Sequence, residues 1–205
     1  MVSASRRIGT ETSKTRAALL EATERLMLEE GYAAVTSRRV AAAAELKPQL
    51  VHYYFRTMDD LFLALFRGRA EQGLERQARA LASAQPLWAL WEFSRDPRGT
   101  ALTMEFIALA NHRKEIRAEI AKSAERFRAE QLKGFQNVLQ RYGIDPDECP
   151  PIVCTVLMSS ISRFLVIEHE TLGMSSGHAE TVAFVERFIR QLEGDRELGT
   201  TPQSS

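Results

Sequence analysis

"LKPQLVHYYFRTMDDLF", residues 46–62, decides the fold. Pro48 suits the first position of a helix, where its missing amide hydrogen costs nothing. A short helix then reaches to about Tyr54, and Thr57 starts another. Thr57 and Asp60 have capping-box spacing, with Asp replacing the usual Glu or Gln, so the box is weaker. Between the two helix starts lie a histidine, two tyrosines and a phenylalanine. Leu46, Val51 and Phe55 can hold the short helix against a core, with Tyr54 read as core or hinge. Its polar side then stays free.

That polar side is rich in donors. Gln49 can pair its amide with an adenine edge, and Lys47 can donate to guanine acceptors or to phosphate. His52 and Tyr53 can donate to phosphate. The bland alternative for each is an ordinary exposed or core side chain.

The preceding residues supply the bracing. A helix is expected from near Ser13 to about Glu30, with Ala18, Leu19, Ala22, Leu26 and Met27 on one apolar face. Gly31 ends it cheaply, and Tyr32 and Val35 tuck back onto that face. Thr36 is a good N-cap for a second helix, Ser37 to about Ala44. Val40 and Ala44 face inward, and Ala41 and Ala43 keep the body slim. Arg38 and Arg39 lie near the positive end of this helix, where backbone amides also favour an anion. A tight break at Glu45 and Leu46 separates the second and third helices, which is a helix-turn-helix arrangement. Residues 1–12 read as a mobile arm, in which Arg6 and Arg7 are a solvated pair or a phosphate-contacting extension.

Charge agrees with this placement. The 205 residues carry 27 basic and 27 acidic side chains, for zero formal net charge. Residues 1–56 hold nine Lys or Arg against six Asp or Glu, so the remainder carries the matching deficit. The N-terminal part is the candidate for an anionic partner.

The pattern TSRRVAAAAELKPQLVHYYFRTMDDL, residues 36–61, resembles the DNA-binding domain of the TetR family of bacterial transcriptional regulators. The likeness lies in the threonine, Val-Ala, Ala-x-Leu, the aromatic run closed by Phe55, and Leu61 after Thr57. The preceding EEGYAAVT is similar too, and the specific match covers roughly residues 15–66. The resemblance implies a homodimer on palindromic operator DNA, with a small-molecule pocket in a larger domain. It places Thr36 near the DNA backbone, and Lys47, Gln49, Leu50, His52 and Tyr53 on or beside the recognition surface. Three positions depart from the family pattern. Glu45 stands where glycine is common, so a changed turn is expected. His52 stands where tyrosine is common. Met58 stands where a phosphate-binding lysine is common, which leaves Arg56 to supply that contact.

The rest of the chain also reads as helical, which makes the fold all-α with about nine helices. The fourth helix runs from Thr57 to about Ala82. Another follows at Pro86 to Phe93, and Asp96, Pro97, Arg98 and Gly99 interrupt the pattern. Helices are then expected at Ala101–Ala110, Lys114–Tyr142, Pro151–Leu172 and Ala179–Leu192, with a frayed tail from Gly194. The resulting division is 13–56 for DNA binding, 57–193 for ligand binding and dimerisation, and 194–205 as a flexible tail.

Two helices carry more apolar surface than one flank needs, and Val156, Ser160, Phe164, Ile167, Phe184 and Phe188 are candidates for a four-helix dimer contact. The serines allow close approach. An internal core is the alternative use of the same surface. Trp88, Trp91, Met104, Phe106 and Phe127 can line a pocket or build a core, and Glu105, Asn111 and His112 can orient a polar ligand group. The resemblance favours a cavity among the fourth to eighth helices. Its mostly apolar walls suit an apolar or amphipathic effector, and repression is favoured over activation because blocking a promoter needs only occupied DNA.

Other classes find little support. The four histidines are scattered, no HExxH occurs, and Glu168-His169-Glu170 cannot face one site because adjacent helical residues diverge. No glycine-rich nucleotide loop or serine-nucleophile motif is present. An enzyme, a cofactor and a bound metal are therefore not expected. Cys149 and Cys154 read as reduced, partly buried thiols. No signal peptide or membrane-length apolar stretch is expected, and the default is a cytoplasmic protein. The competing reading is a helical protein-binding adaptor without specific DNA affinity.

Overall fold

Pro48, Pro86, Pro97 and Pro151 each open a helix, and the architecture is strung between them. The computed structural model describes the backbone of residues 3–197 and the side chains of residues 14–197. Among the described residues there are nine α-helices and no strand: α1 Ser3–Glu30, α2 Ser37–Ala43, α3 Pro48–Tyr54, α4 Met58–Leu81, α5 Pro86–Ser94, α6 Pro97–Ala110, α7 Lys114–Arg141, α8 Pro151–Leu172 and α9 His178–Glu193. A short 3-10 turn, Tyr32–Ala34, follows α1.

Four expectations need correction. Helix α1 begins at Ser3 rather than near Ser13, so the backbone of residues 3–12 is helical. The side chains of Arg6 and Arg7 lie outside the described residues. Pro97 does not interrupt a helix; it starts α6, because the Asp96 carboxylate accepts from the Arg98 amide at 3.1 Å. The tail is not frayed at Gly194. Gln85 Nε2 donates to the carbonyl of Asp195 at 2.8 Å, and the Glu197 amide donates to Gln85 Oε1 at 2.8 Å. Residues 198–205 lie outside the described residues. Finally, α8 is long and apolar enough to cross a membrane by length and composition alone. Most of that helix is not buried, and Arg163, Glu168 and His169 interrupt its apolar character.

By contacts the chain forms two compact units. The first joins the residues up to Gln72 with Ala101–Ala124. Its core contains Leu19 and Met27 of α1, Val40 of α2, Val51 of α3, Leu61 of α4 and Ile116 of α7, all at most 1 % exposed. Burying each such side chain contributes about 1.5–3 kcal/mol. A buried carboxylate, Glu24, is paired with Arg69, which offsets its desolvation. Arg67 also holds Glu119 in a forked pair, at 3.1 and 2.9 Å.

The second unit joins Gly73–Thr100 with the residues from Glu125 onward. Trp88, Leu90 and Trp91 of α5 pack with Phe135 and Leu139 of α7 and Ile189 of α9. Gly134 allows α7 to approach α4, since a Cβ there would lie 2.3 Å from Leu81 Cδ1. Glu193 ties three elements together. Its carboxylate accepts from the amides of Leu87 and Trp88 at 2.9 and 3.1 Å, capping α5, and from the Tyr142 hydroxyl at 2.7 Å. Burial, and then the bond to Glu193, push the Tyr142 phenol up to about 12.

Candidate nucleic-acid interface and effector region

The short helix α3 is fixed from below. Val51 and Phe55 are buried, Leu46 packs partly against the same core, and Arg16 lies over the Phe55 ring at 5.3 Å. Since Val51 and Phe55 sit four apart, one stripe of this two-turn helix is committed to the core. The other side is open. Lys47, Gln49, His52, Tyr53 and Arg56 are exposed, Tyr53 at 75 %, and Leu50 is half-buried. The Tyr53 ring meets Tyr54 edge-on at 5.0 Å, which steadies the phenol without covering it.

Helix α2 is anchored at both ends. Thr36 Oγ1 accepts from the Arg39 amide at 3.3 Å, as the N-cap expectation requires. At the other end Arg25 donates to the Ala43 carbonyl at 2.6 Å. Arg39 is engaged with Glu30 and the Ala34 carbonyl, whereas Arg38 is exposed. Thr36 is exposed as well.

The turn joining α2 to α3 answers the question raised by Glu45. The Leu46 amide donates to the Ala41 carbonyl at 2.8 Å, and the Glu45 amide to that of Ala42 at 3.1 Å. These are the two bonds of a Schellman motif, which demands a left-handed residue after the cap. Glu45 is that residue, with φ 57, alone among the described non-glycine residues. The turn is therefore not changed, as expected from sequence, but retained with a glutamate in the glycine place. The strain costs about 1 kcal/mol.

Past α3, the capping box is complete. The Asp60 amide donates to Thr57 Oγ1 at 3.0 Å, and the Thr57 amide donates to Asp60 Oδ2 at 3.1 Å. Met58 packs partly against the core and offers no charge. Arg56 stands exposed beside it.

The six residues read as effector-binding fall in different units. Met104, Glu105 and Phe106 belong to the first, and Trp88, Trp91 and Phe127 to the second. Glu105 has structural work: its carboxylate accepts from the Tyr32 amide at 2.6 Å. Phe106 is buried in the first core, edge-on to Phe66 at 5.2 Å, while Met104 is exposed. Asn111 and His112 are exposed. In the second unit, Trp88 Nε1 donates to the Gly194 carbonyl and Trp91 Nε1 to Glu186. Arg190 and Arg95 lie over these two rings at 5.9 and 5.1 Å. Phe127 stacks with Phe93 at 6.0 Å.

Gln77 was not singled out from sequence. It is 1 % exposed, and its side-chain nitrogen is buried without a hydrogen-bond partner. On α4 it lies between Gly73, which faces Phe127, and Leu81, which faces Gly134. The matching stretch of α7 includes the buried Gln131, whose Oε1 accepts from Ser159 Oγ of α8 at 3.4 Å. A glutamine one turn from Gly73 and one turn from Leu81, on the buried stripe of α4, was the available signal.

The dimer candidates all lie on α8 and α9. Phe164, Phe184 and Phe188 are 58, 54 and 52 % exposed, Val156 and Ser160 are exposed, and Ile167 is half-buried. Phe184 and Phe188 meet at 5.0 Å. A groove of about 230 Å³ beside Phe164 is edged by the Glu168–His178 pair, at 2.8 Å.

Residues 19–65 match the family model described as bacterial regulatory proteins, tetR family. No curated protein matches the chain. Among solved structures, a proposed transcriptional regulator from Saccharomonospora viridis in complex with choline superposes with a TM-score of 0.73 at 19 % identity, over 87 % of this chain and 96 % of that one. A TetR transcription regulator from Haloarcula marismortui gives 0.70 at 18 % identity, over 88 % and 98 %. At such identities these likenesses concern the fold. Together with the match over residues 19–65, they show a TetR-like all-α fold whose N-terminal part carries a TetR-type helix-turn-helix.

Proposed function

We propose that the chain is a cytoplasmic repressor that binds palindromic operator DNA as a homodimer and is released by a small molecule. The observation that carries this reading is the exposed row Lys47, Gln49, His52, Tyr53 and Arg56 on a helix held by Val51 and Phe55. One such helix reads few base pairs, so two copies about 34–36 Å apart supply the specificity. Thr36, Arg38 and Arg56 contribute backbone contacts. Residues 13–56 recognise DNA, and residues 57–193 serve effector binding and dimerisation. This is a division of labour, not of packing.

For the effector we favour the second unit, where Trp88 and Trp91 are buried, Phe127 lies against Gly73 one turn from Gln77, and Gln77 has an amide donor to satisfy. An unpartnered buried donor costs about 1–3 kcal/mol. An apolar or amphipathic molecule with one acceptor oxygen would relieve that cost. A choline-like cation fits poorly here, since guanidinium groups already face both tryptophan rings. Helix α4 runs unbroken from Met58, beside the recognition helix, to Leu81 beyond Gln77. Occupancy near Gln77 can therefore bias the arrangement of α3, provided the ligand prefers one state.

Selection of genomic fragments by the purified full chain tests the DNA reading. A two-fold-symmetric site whose binding weakens as salt rises supports it. Absence of any saturable, sequence-selective complex favours a protein-binding adaptor. An effector that saturates the protein yet leaves DNA affinity unchanged would end the release mechanism.

A further inference from the structure

Two cysteines occupy a defined pair of positions at the start of α8. Pro150 is the N-cap and Pro151 the first helical residue, which makes Cys149 the residue before the cap and Cys154 the fourth of the helix. Side chains at these two positions pack on each other across the helix entrance, the arrangement known as a hydrophobic staple. Here both staple residues are thiols. The backbone holds them firmly: the Cys149 amide donates to the Asp145 carbonyl at 3.0 Å, and the Cys154 amide to the Pro150 carbonyl at 3.1 Å. Both are free, both are half-buried, and both pack against the core of the second unit. The prolines between them restrict the backbone further.

We propose that Cys149 and Cys154 form a reversible intramolecular disulfide when the chain meets a peroxide. The two sulfurs have unequal roles. Burial first, and then its hydrogen bond with Cys149, push the Cys154 thiol up to about 12. The raised thiol makes Cys154 the harder of the two to ionise, and Cys149, the residue outside the helix, is assigned the attack. The Cys149 thiolate displaces hydroxide from hydrogen peroxide, breaking the O–O bond and forming a sulfenic acid. Cys154 sulfur then attacks the sulfenic sulfur. The S–S bond forms, the hydroxyl leaves, and it departs as water with the Cys154 proton. Overall two thiols lose two electrons and two protons, and one peroxide becomes two waters. A thiol reductant reverses the change.

The consequence is local. A disulfide fixes its two Cα atoms within about 4.4–6.8 Å and sets a narrow dihedral. Meeting that demand adjusts the first turn of α8, which carries Ile152 and Val153 on its exposed apolar side. The chemistry stands apart from the proposed DNA binding, and its test needs no DNA.

The full chain is treated with stoichiometric hydrogen peroxide, and its thiols are mapped by alkylation and peptide mass spectrometry. The expected result is loss of both free thiols, one peptide linking Cys149 to Cys154, a mass decrease of two hydrogens, and full recovery with dithiothreitol. Cys154→Ser should stop at a sulfenic acid on Cys149 that a dimedone probe traps. Cys149→Ser should show several-fold slower loss of its remaining thiol. Sulfinic acid as the main wild-type product, or links only between chains, overturns the proposal. So does faster reaction at Cys154. The wild-type readout stands even if a serine variant folds poorly.

Discussion

Lys47 and Tyr53 are the side chains on which DNA binding is most open to test, because neither supports the core. Tyr53 is largely solvated and Lys47 is exposed at the N-cap of α3 without a side-chain cap bond. Lys47→Ala is expected to leave thermal stability within about 0.5 kcal/mol and to lower the slope of log affinity against log salt by about one per copy. Tyr53→Phe should lose about 1 kcal/mol of binding per copy, near fivefold, if the hydroxyl meets phosphate. Fluorescence anisotropy at several salt concentrations reads both, and a fall in melting temperature without a change in affinity would contradict them. Glu45 makes the opposite prediction. Glycine there relieves the left-handed strain and removes a carboxylate beside the recognition helix. Glu45→Gly should raise stability by at most about 0.5 kcal/mol, after the entropy that glycine loses on folding. It should also tighten DNA binding. These residues show what the sequence made legible. The donor row of α3 could be read because a two-turn helix with two buried positions leaves few choices. The shape of the turn at Glu45 could not, because an unusual residue can either change a turn or bear its strain, and only the backbone shows which.

At the scale of elements, the helix ends held most of the information and also most of the errors. Proline at the first helical position located α3, α5 and α8, and threonine caps located α2 and α4. The same proline rule applied to Pro97, where its neighbours Asp96 and Gly99 suggested a loop instead; the Asp96 side chain turns out to be the cap. The end of α9 was harder still. Glu193 caps the start of α5, from over a hundred residues away, and no local pattern announces a cap so distant. Glu193→Ala leaves two helix-start amides and the Tyr142 hydroxyl without their partner, and should cost about 2–4 kcal/mol in chemical denaturation. Tyr142 gives this hub a pH signature. Its phenol is raised to about 12 in the fold against an ordinary value near 10. The stabilisation is thus complete below pH 10, and it is lost as pH rises toward 12, since the unfolded phenol ionises first. Stability measured across that window should fall in the wild type and fall less steeply in Tyr142→Phe.

For the whole molecule, the decisive feature is an exposed apolar face. Phe164, Phe184 and Phe188 are each more than half exposed, on two helices that also expose Val153, Val156 and Leu157. A patch of this kind marks an interaction surface, and two partners of different chemistry could take it. A bilayer would suit the composition of α8 taken alone. It suits α9 poorly, since Glu180, Glu186, Arg187 and Arg190 share that helix with the phenylalanines. A second copy of the same two helices matches both, because each chain would present the same mixture of apolar stripe and polar margin. The sequence disclosed this face through an excess of apolar residues, but it equally allowed an internal core. Exposure distinguishes the two. Placing a charge at its centre separates the occupants. In Phe164→Glu with Phe188→Glu, each chain folds as before, because neither ring is part of a core. Sedimentation should show a monomer with wild-type helicity, and the unaltered chain should sediment as a dimer. The monomer should bind a single half-site about as weakly as one recognition helix allows, and should lose most of its preference for a two-half-site operator. A variant that remains dimeric would place the interface elsewhere. A wild-type chain that sediments as a monomer at micromolar concentration, yet floats with lipid vesicles, would assign the face to a membrane.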